Sequence, residues 1–313
     1  MDYILVCFPT TGTHRQQLRT AAPEAEFCFH DETPGEEFLA RVNIVLGNPP
    51  VDWLKKMPNL QFVQLNSAGV EPYAGLLPGS VALTNASGAY GPGIAEHSIG
   101  MALMLMKKLH RYRDVQHTAC WVDLGNVGTF IGAKVLVVGM GDIGREFARR
   151  ANALGAAVTG IKRTPGIAPE YVEALYTMER LDECLAQADV VFMSLPGTPA
   201  TKGLFDRQRI GRMKQGSILI NVGRGNAVDL DALCDAIVDG RLLGAAVDVT
   251  DPEPLPPEHR AWRTEDLLIT PHISGGFHMK LTHDRIAAIA AGNLRRFLTG
   301  EPLSNVVDRE LLY

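Results

Sequence analysis

The chain has few cysteines, and nothing in their arrangement suggests a disulfide framework or a metal site. The five, Cys7, Cys28, Cys120, Cys184 and Cys234, are scattered through 313 residues, odd in number, and form no Cys-x-x-Cys pair. They read as reduced thiols of a cytoplasmic protein. Long apolar runs are also missing, since no stretch approaches the ~18 residues that cross a bilayer. The opening Met1-Asp2-Tyr3-Ile4-Leu5-Val6 lacks the basic region of a signal peptide and reads as a first strand. Basic charge is not in excess: 30 Lys and Arg against 35 Asp and Glu give a net charge of −5. That balance argues against nucleic acid or an anionic membrane as the main partner. There is no internal repeat and no low-complexity stretch. His110, His117, His259, His278 and His283 have no spacing that suggests a metal site. What is present is ordinary globular composition, 46% hydrophobic and 21% charged, in a chain long enough for two domains.

Strand-like and helix-like segments alternate throughout, which predicts parallel sheets covered by helices. A first series of strands is expected at Tyr3–Cys7, Glu26–Phe29, Asn43–Leu46, Phe62–Leu65 and Val81–Leu83. Gly91-Pro92-Gly93 then reads as a stop signal before one long helix, Ile94–Arg111. A second series is expected at Val135–Val138, Ala157–Ile161, Val190–Ser194, Ile218–Val222, Ala245–Val249 and Leu267–Ile269, with helices between and a last helix at Met279–Leu298. The fold class is α/β with two doubly wound parallel-sheet domains. Residues 1–100 with 285–313 are expected to form one of them, flavodoxin-like and for a substrate, and 101–284 the other, of Rossmann type and for a dinucleotide.

The second series opens with an apolar strand followed at once by Gly139-Met140-Gly141-Asp142-Ile143-Gly144 and an amphipathic helix. In that context the first glycine permits the tight turn, the second lets a pyrophosphate approach the backbone, and the third lets helix and strand pack closely. The helix N-terminus offers unpaired N–H groups and the positive end of its dipole to phosphate. The bland alternative is a simple glycine turn. An NAD-type site would carry Asp or Glu at the end of the next strand, roughly 20 residues on, to bind the ribose 2′-hydroxyl. This chain has Lys162-Arg163-Thr164 there. A 2′-phosphate is attracted by such cations and repelled by a carboxylate, so NADP(H) is the preferred cofactor, with NAD(H) possible. The competing reading is a solvated basic loop.

Three polar residues follow, each just past a strand. They are Arg224 in Asn221-Val222-Gly223-Arg224-Gly225, Glu253 in Asp248-Val249-Thr250-Asp251-Pro252-Glu253-Pro254, and His272 in Thr270-Pro271-His272-Ile273. Carbonyl reduction by a nicotinamide needs a proton donor for the developing alkoxide and a group that polarises the carbonyl. His272 suits the first role, because imidazole titrates near neutrality. Glu253 is suited to hold the ring by one nitrogen and to favour its charged form. Arg224 can meet the carboxylate and keto oxygens of a 2-oxo acid with its planar fork. Taken singly, each has another reading: a turn histidine, a solvated loop carboxylate, an arginine on cofactor phosphate or facing water.

With these motifs the chain resembles the D-isomer-specific 2-hydroxyacid dehydrogenases. The resemblance covers most of the chain and is densest from Asn66 to Gly275, through Asn66-Ser67-Ala68-Gly69-Val70, Ala95-Glu96-His97, Gly139–Gly144, Asn221–Gly225, Asp248–Pro254 and Pro271-His272. It implies that Arg224 binds substrate, that His272 is the acid/base, and that Glu253 tunes it. It further implies that Asp248 touches the nicotinamide amide, and that the backbone of Ala68, Gly69 and Val70 receives the substrate carboxylate. Gly139, Gly141, Asp142, Ile143, Gly144, Lys162, Arg163, Thr164, Val222, Gly223, Asp248 and Gly275 are the expected cofactor contacts. Formate dehydrogenases of the superfamily carry Gln where this chain has Glu253. Long phosphoglycerate dehydrogenases add a regulatory domain for which 313 residues leave no room. Lys162-Arg163 resembles the NADPH-preferring glyoxylate and hydroxypyruvate reductases. Family members are typically dimers, so a homodimer is expected.

The expected activity is NADPH-dependent reduction of a small 2-oxo acid, glyoxylate, hydroxypyruvate or similar, to the D-2-hydroxy acid. The rivals are an oxidoreductase of the same fold with another substrate, such as phosphite, and a dinucleotide-sensing protein of corepressor type. His97, beside Glu96 in the long helix, reads as structural or interdomain. Trp121, Trp262 and Tyr90 remain open as pocket residues, Trp121 from a neighbouring subunit.

Overall fold

The computed structural model describes residues 1–276 and 279–311, the side chain of Pro72 excepted. His278 therefore lies outside the described residues. The chain divides into two units, residues 1–90 with 277–313, and residues 91–276.

The first unit holds strands β1 (Tyr3–Cys7), β2 (Glu26–Cys28), β3 (Ile44–Gly47), β4 (Phe62–Gln64) and β5 (Ala82–Thr84). They form one parallel sheet in the order β2-β1-β3-β4-β5, which is the flavodoxin-like order. Successive side chains of a strand point to opposite faces. Ile4, Val6, Ile44, Leu46 and Phe62 accordingly join one apolar layer, while Leu5, Val45, Val63 and Leu83 join the other. Both faces are thus covered, which is why these strands read as unbroken apolar runs. The C-terminal helix Lys280–Thr299 belongs to the first layer through Ile286, Ala287, Ala290, Ala291 and Leu294. Its one fully buried amide, Asn293, is matched on both ends: Nδ2 donates to Gln64 Oε1 at 2.7 Å and to the Ser304 carbonyl at 2.8 Å, and Oδ1 accepts from Ser304 N at 2.9 Å.

The second unit holds β6 (Lys134–Val138), β7 (Ala157–Ile161), β8 (Ala174–Tyr176), β9 (Val190–Met193), β10 (Ser217–Asn221), β11 (Leu242–Val247) and β12 (Leu267–Ile269). All are parallel, in the order β12-β11-β10-β9-β6-β7-β8. The chain leaves β6 in one direction along the sheet and returns to its other side at β9, which makes the gap between them the topological switch point where such sheets bind ligands. The register aligns the carboxyl ends in one row: Tyr176, Ile161, Val138, Met193, Asn221, Val247 and Ile269 are successive neighbours. Helix Asp142–Ala153 is fixed to this sheet by Phe147, whose buried ring stacks on that of Phe192 with centroids 3.9 Å apart.

Two features differ from the sequence reading. The long helix begins at Gly91 and ends at Met106, and a separate helix covers Leu109–His117. Gly91-Pro92-Gly93 is its first turn and not a stop, since proline lacks only an N–H that the first turn leaves unpaired anyway. Gly91 N donates instead to Asp142 Oδ2 at 2.8 Å. The break falls where Lys108 turns left-handed, at φ 55°. Because helix Gly91–Met106 packs on helix Asp142–Ala153, the second unit starts at residue 91 instead of 101. The edge strand β8 escaped notice because its three residues are all half-buried and show no alternation. All five cysteines are free, and no helix of the described residues is long and apolar enough to cross a membrane.

Candidate active site

The segments singled out from sequence in the second unit begin on or just beyond the row of strand ends. Gly139 follows β6, Lys162 follows β7, Val222 follows β10, Asp248 follows β11, and Thr270 follows β12.

At β6 the three glycines have distinct geometry. Gly139 has φ of +103°, and a Cβ there would sit 2.8 Å from the Ser194 carbonyl oxygen. A Cβ on Gly144 would lie 1.9 Å from the Gly139 carbonyl oxygen, so any side chain would push the helix off the strand. Gly141, the helix N-cap, has nothing within 4 Å of that position. The middle glycine therefore fronts open space, at the N-terminus of a 12-residue helix, which is where a dinucleotide pyrophosphate fits. Asp142 and Ile143 occupy the first helical turn. The Asp142 carboxylate is turned to Gly91 N, so the main chain is what this turn presents to a phosphate. Beyond β7, Lys162 is half-buried with Nζ against Gly166, while Arg163 and Thr164 are exposed. No carboxylate occurs between Lys162 and Pro169. These residues fit a nicotinamide dinucleotide.

Arg224 is held by close backbone crossings on both sides. A Cβ on Gly223 would lie 2.6 Å from the backbone N and O of Leu195, and one on Gly225 would lie 2.0 Å from the Thr250 carbonyl. Asn221 closes the turn, with Oδ1 accepting from Gly223 N at 3.1 Å and Nδ2 donating to the Arg224 carbonyl at 2.9 Å. The guanidinium Nη1 donates to the Gly223 carbonyl at 2.8 Å. The same Thr250 that Gly225 abuts donates its N–H to Glu253 Oε1 at 3.0 Å. Glu253 Oε2 lies 2.9 Å from His272 Nδ1. So the loops carrying Arg224, Glu253 and His272 are linked contact by contact, above the adjacent strands β10, β11 and β12. With Nδ1 committed to a carboxylate as donor, Nε2 is the ring nitrogen left to act on a ligand. Side-chain exposures of 52% for His272 and 39% for Glu253 leave the pair open to one.

His272 sits at φ of 53°, the left-handed region that costs a non-glycine residue about 1–2 kcal/mol. Asp248 supports it. Its backbone oxygen accepts from His272 N at 2.8 Å. Its carboxylate, 1% exposed, accepts from Thr270 Oγ1 at 2.5 Å, Ile273 N at 3.0 Å and Ser274 N at 3.1 Å, and from the Ser274 hydroxyl. Four donors occupy the lone-pair sites of a carboxylate, which is how this charge tolerates burial. Gly275 follows in the same turn, half-buried. Sequence reasoning missed Asn221, Thr270 and Ser274. The available signal was a polar residue ending or following an apolar run at β10 and β12.

In the first unit, the Ala68–Val70 turn is braced by Asn48. Its Oδ1 accepts from Asn66 N at 3.1 Å, and its Nδ2 donates to Ser67 Oγ at 3.0 Å, which itself donates to the Gly69 carbonyl at 2.6 Å. Asn85 Nδ2 holds the Ala68 carbonyl at 3.0 Å. The carbonyls are engaged, while the N–H groups of Ala68, Gly69 and Val70 donate to no partner among the described residues. Tyr90 donates its hydroxyl to the Asn66 carbonyl, and burial pushes that phenol up to about 12. Trp121 is fully exposed, and Trp262 donates Nε1 to the Pro256 carbonyl at 2.9 Å. Among the described residues no cluster of His, Cys, Asp or Glu is built to hold a metal.

Comparison with known proteins gives a consistent picture. Residues 99–274 match the family model described as D-isomer specific 2-hydroxyacid dehydrogenase, NAD binding domain. A hydroxypyruvate reductase from Blautia hydrogenotrophica is 28% identical over 88% of this chain and 89% of its own. A crystal structure of a D-isomer specific 2-hydroxyacid dehydrogenase family protein from Aeromonas salmonicida is 31% identical, with a TM-score of 0.88 over 98% of this chain and 99% of the other. That of an NADPH-dependent glyoxylate/hydroxypyruvate reductase from Sinorhizobium meliloti, in complex with NADP and sulfate, is 25% identical, with a TM-score of 0.84 over 100% of both chains.

The glycine geometry separates two variants. Gly144→Ala is expected to lower the melting temperature and abolish dinucleotide binding, measured by fluorescence titration with NADPH. Gly141→Ala, with open space for its methyl, is expected to leave the melting temperature unchanged and weaken binding alone. Equal effects of the two on stability would contradict the assignment of open space to Gly141.

Proposed function

The chain belongs to the D-isomer specific 2-hydroxyacid dehydrogenase family, a family of oxidoreductases, and from that premise we propose that it is an NADPH-dependent reductase of a small 2-oxo acid. Glyoxylate and hydroxypyruvate are the substrates in view, and the product is the D-2-hydroxy acid. The observation that carries the reading is the His272–Glu253 pair, 2.9 Å apart, one strand from the Arg224 turn and in the unit that holds the glycine fingerprint. The relatives named reductases of glyoxylate or hydroxypyruvate support the substrate class.

A bound nicotinamide dinucleotide supplies the hydride that adds to the carbonyl carbon. The rest of the chemistry falls to this chain. His272 gives a proton from Nε2 to the oxygen that becomes the hydroxyl. Glu253 holds Nδ1 and fixes the plane of the ring. Arg224 pairs its fork with the substrate oxygens and offsets the charge that develops on the carbonyl. The N–H groups of Ala68, Gly69 and Val70 take the substrate carboxylate, as a small backbone anion site. Cofactor contacts are assigned to Gly139, Gly141, Ile143, Gly144, Val222, Gly223 and Gly275, to the main chain of Asp142, and to Lys162, Arg163 and Thr164 for the 2′-phosphate. The nicotinamide amide is assigned to the Asp248 region.

We further propose that the protein is a homodimer. The segment after helix Leu109–His117 exposes Trp121 fully and Ile131 at 76%, together with Val122 and Val127. Exposed apolar side chains concentrated in one segment suit an association surface.

Three measurements test these readings. A panel of glyoxylate, hydroxypyruvate and longer 2-oxo acids should consume NADPH absorbance, and His272→Gln should bind NADPH as the parent does while turnover falls about 10²- to 10⁴-fold. Retained turnover in that variant removes the proton-donor role, and a silent panel would favour a phosphite-type substrate or a dinucleotide sensor. Catalytic efficiency with NADPH should exceed that with NADH, and Lys162→Ala with Arg163→Ala should narrow the gap by about tenfold or more, the worth of a charge-assisted bond. Equal or better use of NADH would refute the preference. Light scattering should report twice the chain mass, falling to one chain mass in Trp121→Glu if this segment forms the contact; a monomeric parent ends that proposal.

A further inference from the structure

The motif Ala95-Glu96-His97 has no part in the chemistry described so far, yet its histidine reaches the loop that carries His272. His97 Nε2 lies 3.2 Å from Thr270 Oγ1. Thr270 Oγ1 lies 2.5 Å from Asp248 Oδ1. Asp248 then accepts from the N–H groups of His272, Ile273 and Ser274, the first through its backbone oxygen and the others through its carboxylate. The direction of each bond follows from donor counts. The carboxylate can only accept, so the single hydroxyl proton of Thr270 points to it. The hydroxyl oxygen must then accept from His97, which places a proton on His97 Nε2. Donation thus converges on the buried carboxylate, from imidazole through hydroxyl on one side and from the main-chain N–H groups just after His272 on the other.

We propose that Thr270 and His97 are positioning residues for the reaction. Thr270 locks the carboxylate of Asp248 in the rotamer that accepts from residues 273 and 274, and His97 locks the hydroxyl of Thr270. Together they keep His272 in its left-handed backbone state, with Nδ1 on Glu253. A residue in that state returns to ordinary backbone angles when its pins are removed, and the ring moves with it. The proposal rests on the reading of His272 as proton donor. It distinguishes this histidine's setting from a surface turn, since the loop is fastened from beneath by a carboxylate that is itself fastened from helix Gly91–Met106.

The test separates positioning from mere folding. Thr270→Val keeps shape and removes the hydroxyl, while Thr270→Ser restores it. Kinetics with glyoxylate or hydroxypyruvate at saturating NADPH, NADPH affinity and melting temperature are measured for both. We expect kcat to fall about 10- to 100-fold in Thr270→Val, the scale of a small misplacement of a reacting group, with NADPH affinity within about twofold of the parent, and Thr270→Ser to recover most of the loss. Should Thr270→Val lose NADPH binding altogether, His97→Leu carries the test, since it leaves the Thr270–Asp248 bond in place. It should lower kcat several-fold, and His97→Gln, which keeps a donor near the Nε2 position, should recover it. A Thr270→Val enzyme with parental kcat, or a loss that serine does not repair, overturns the proposal. His272→Gln run alongside separates the two readings: if it stays active, the proton-donor assignment falls; if it is inactive while Thr270→Val is not, only the positioning role falls.

Discussion

The row of paired strand ends from Tyr176 through Val138 to Ile269 is the constraint from which the rest of the second unit follows. Seven parallel strands finish level with one another, and each hands the chain to a loop at the same edge. Both faces of the sheet carry buried apolar side chains, Leu136, Val138, Val191 and Leu219 on one and Val135, Val137, Phe192 and Ile220 on the other. A slip of one residue would exchange the faces of a whole strand, so burial holds the register. Because the register is held, residues far apart in sequence arrive at one edge.

What happens above that edge depends on how closely backbones can approach. Gly223 and Gly225 let the chain on both sides of Arg224 touch Leu195 and Thr250, and Gly144 lets helix Asp142–Ala153 touch the turn at Gly139. These are contacts that no side chain permits. They bring the Arg224 turn against the segment that orients Glu253, and through it against His272. The buried carboxylate of Asp248 does the complementary task. It gathers the hydroxyls and N–H groups of the loop past β12, and the loss of hydration of the charge is offset by four hydrogen bonds. The histidine loop is thus anchored below by Asp248 and at the ring by Glu253.

The first unit follows the same plan of parallel strands with two apolar layers, but it carries no glycine fingerprint. Its turn at Ala68–Val70 is fastened through its carbonyls and through Asn48, which leaves N–H groups to present. Similar architecture therefore carries different turns in the two units: a glycine turn that opens a helix in one, and a backbone turn braced through its carbonyls in the other.

The strand pattern, the sheet class and the glycine fingerprint were legible in the amino-acid order, because buried parallel strands are apolar runs and a phosphate turn demands glycine at set spacings. Arg224, Glu253 and His272 could be picked out since each is polar just past an apolar run. The first turn of the helix at Gly91 was misread, because its support is the Asp142 carboxylate 51 positions on. The edge strand β8 was invisible, because half-burial leaves no periodic signal. Only the tertiary structure could decide that Asp142 turns its carboxylate to Gly91, that Asp248 spends its acceptors on the histidine loop, and that His97 stands behind Thr270. Periodicity reports which face of an element is buried. It does not report which donor meets which acceptor across elements, since that depends on register and approach distances that no local pattern encodes.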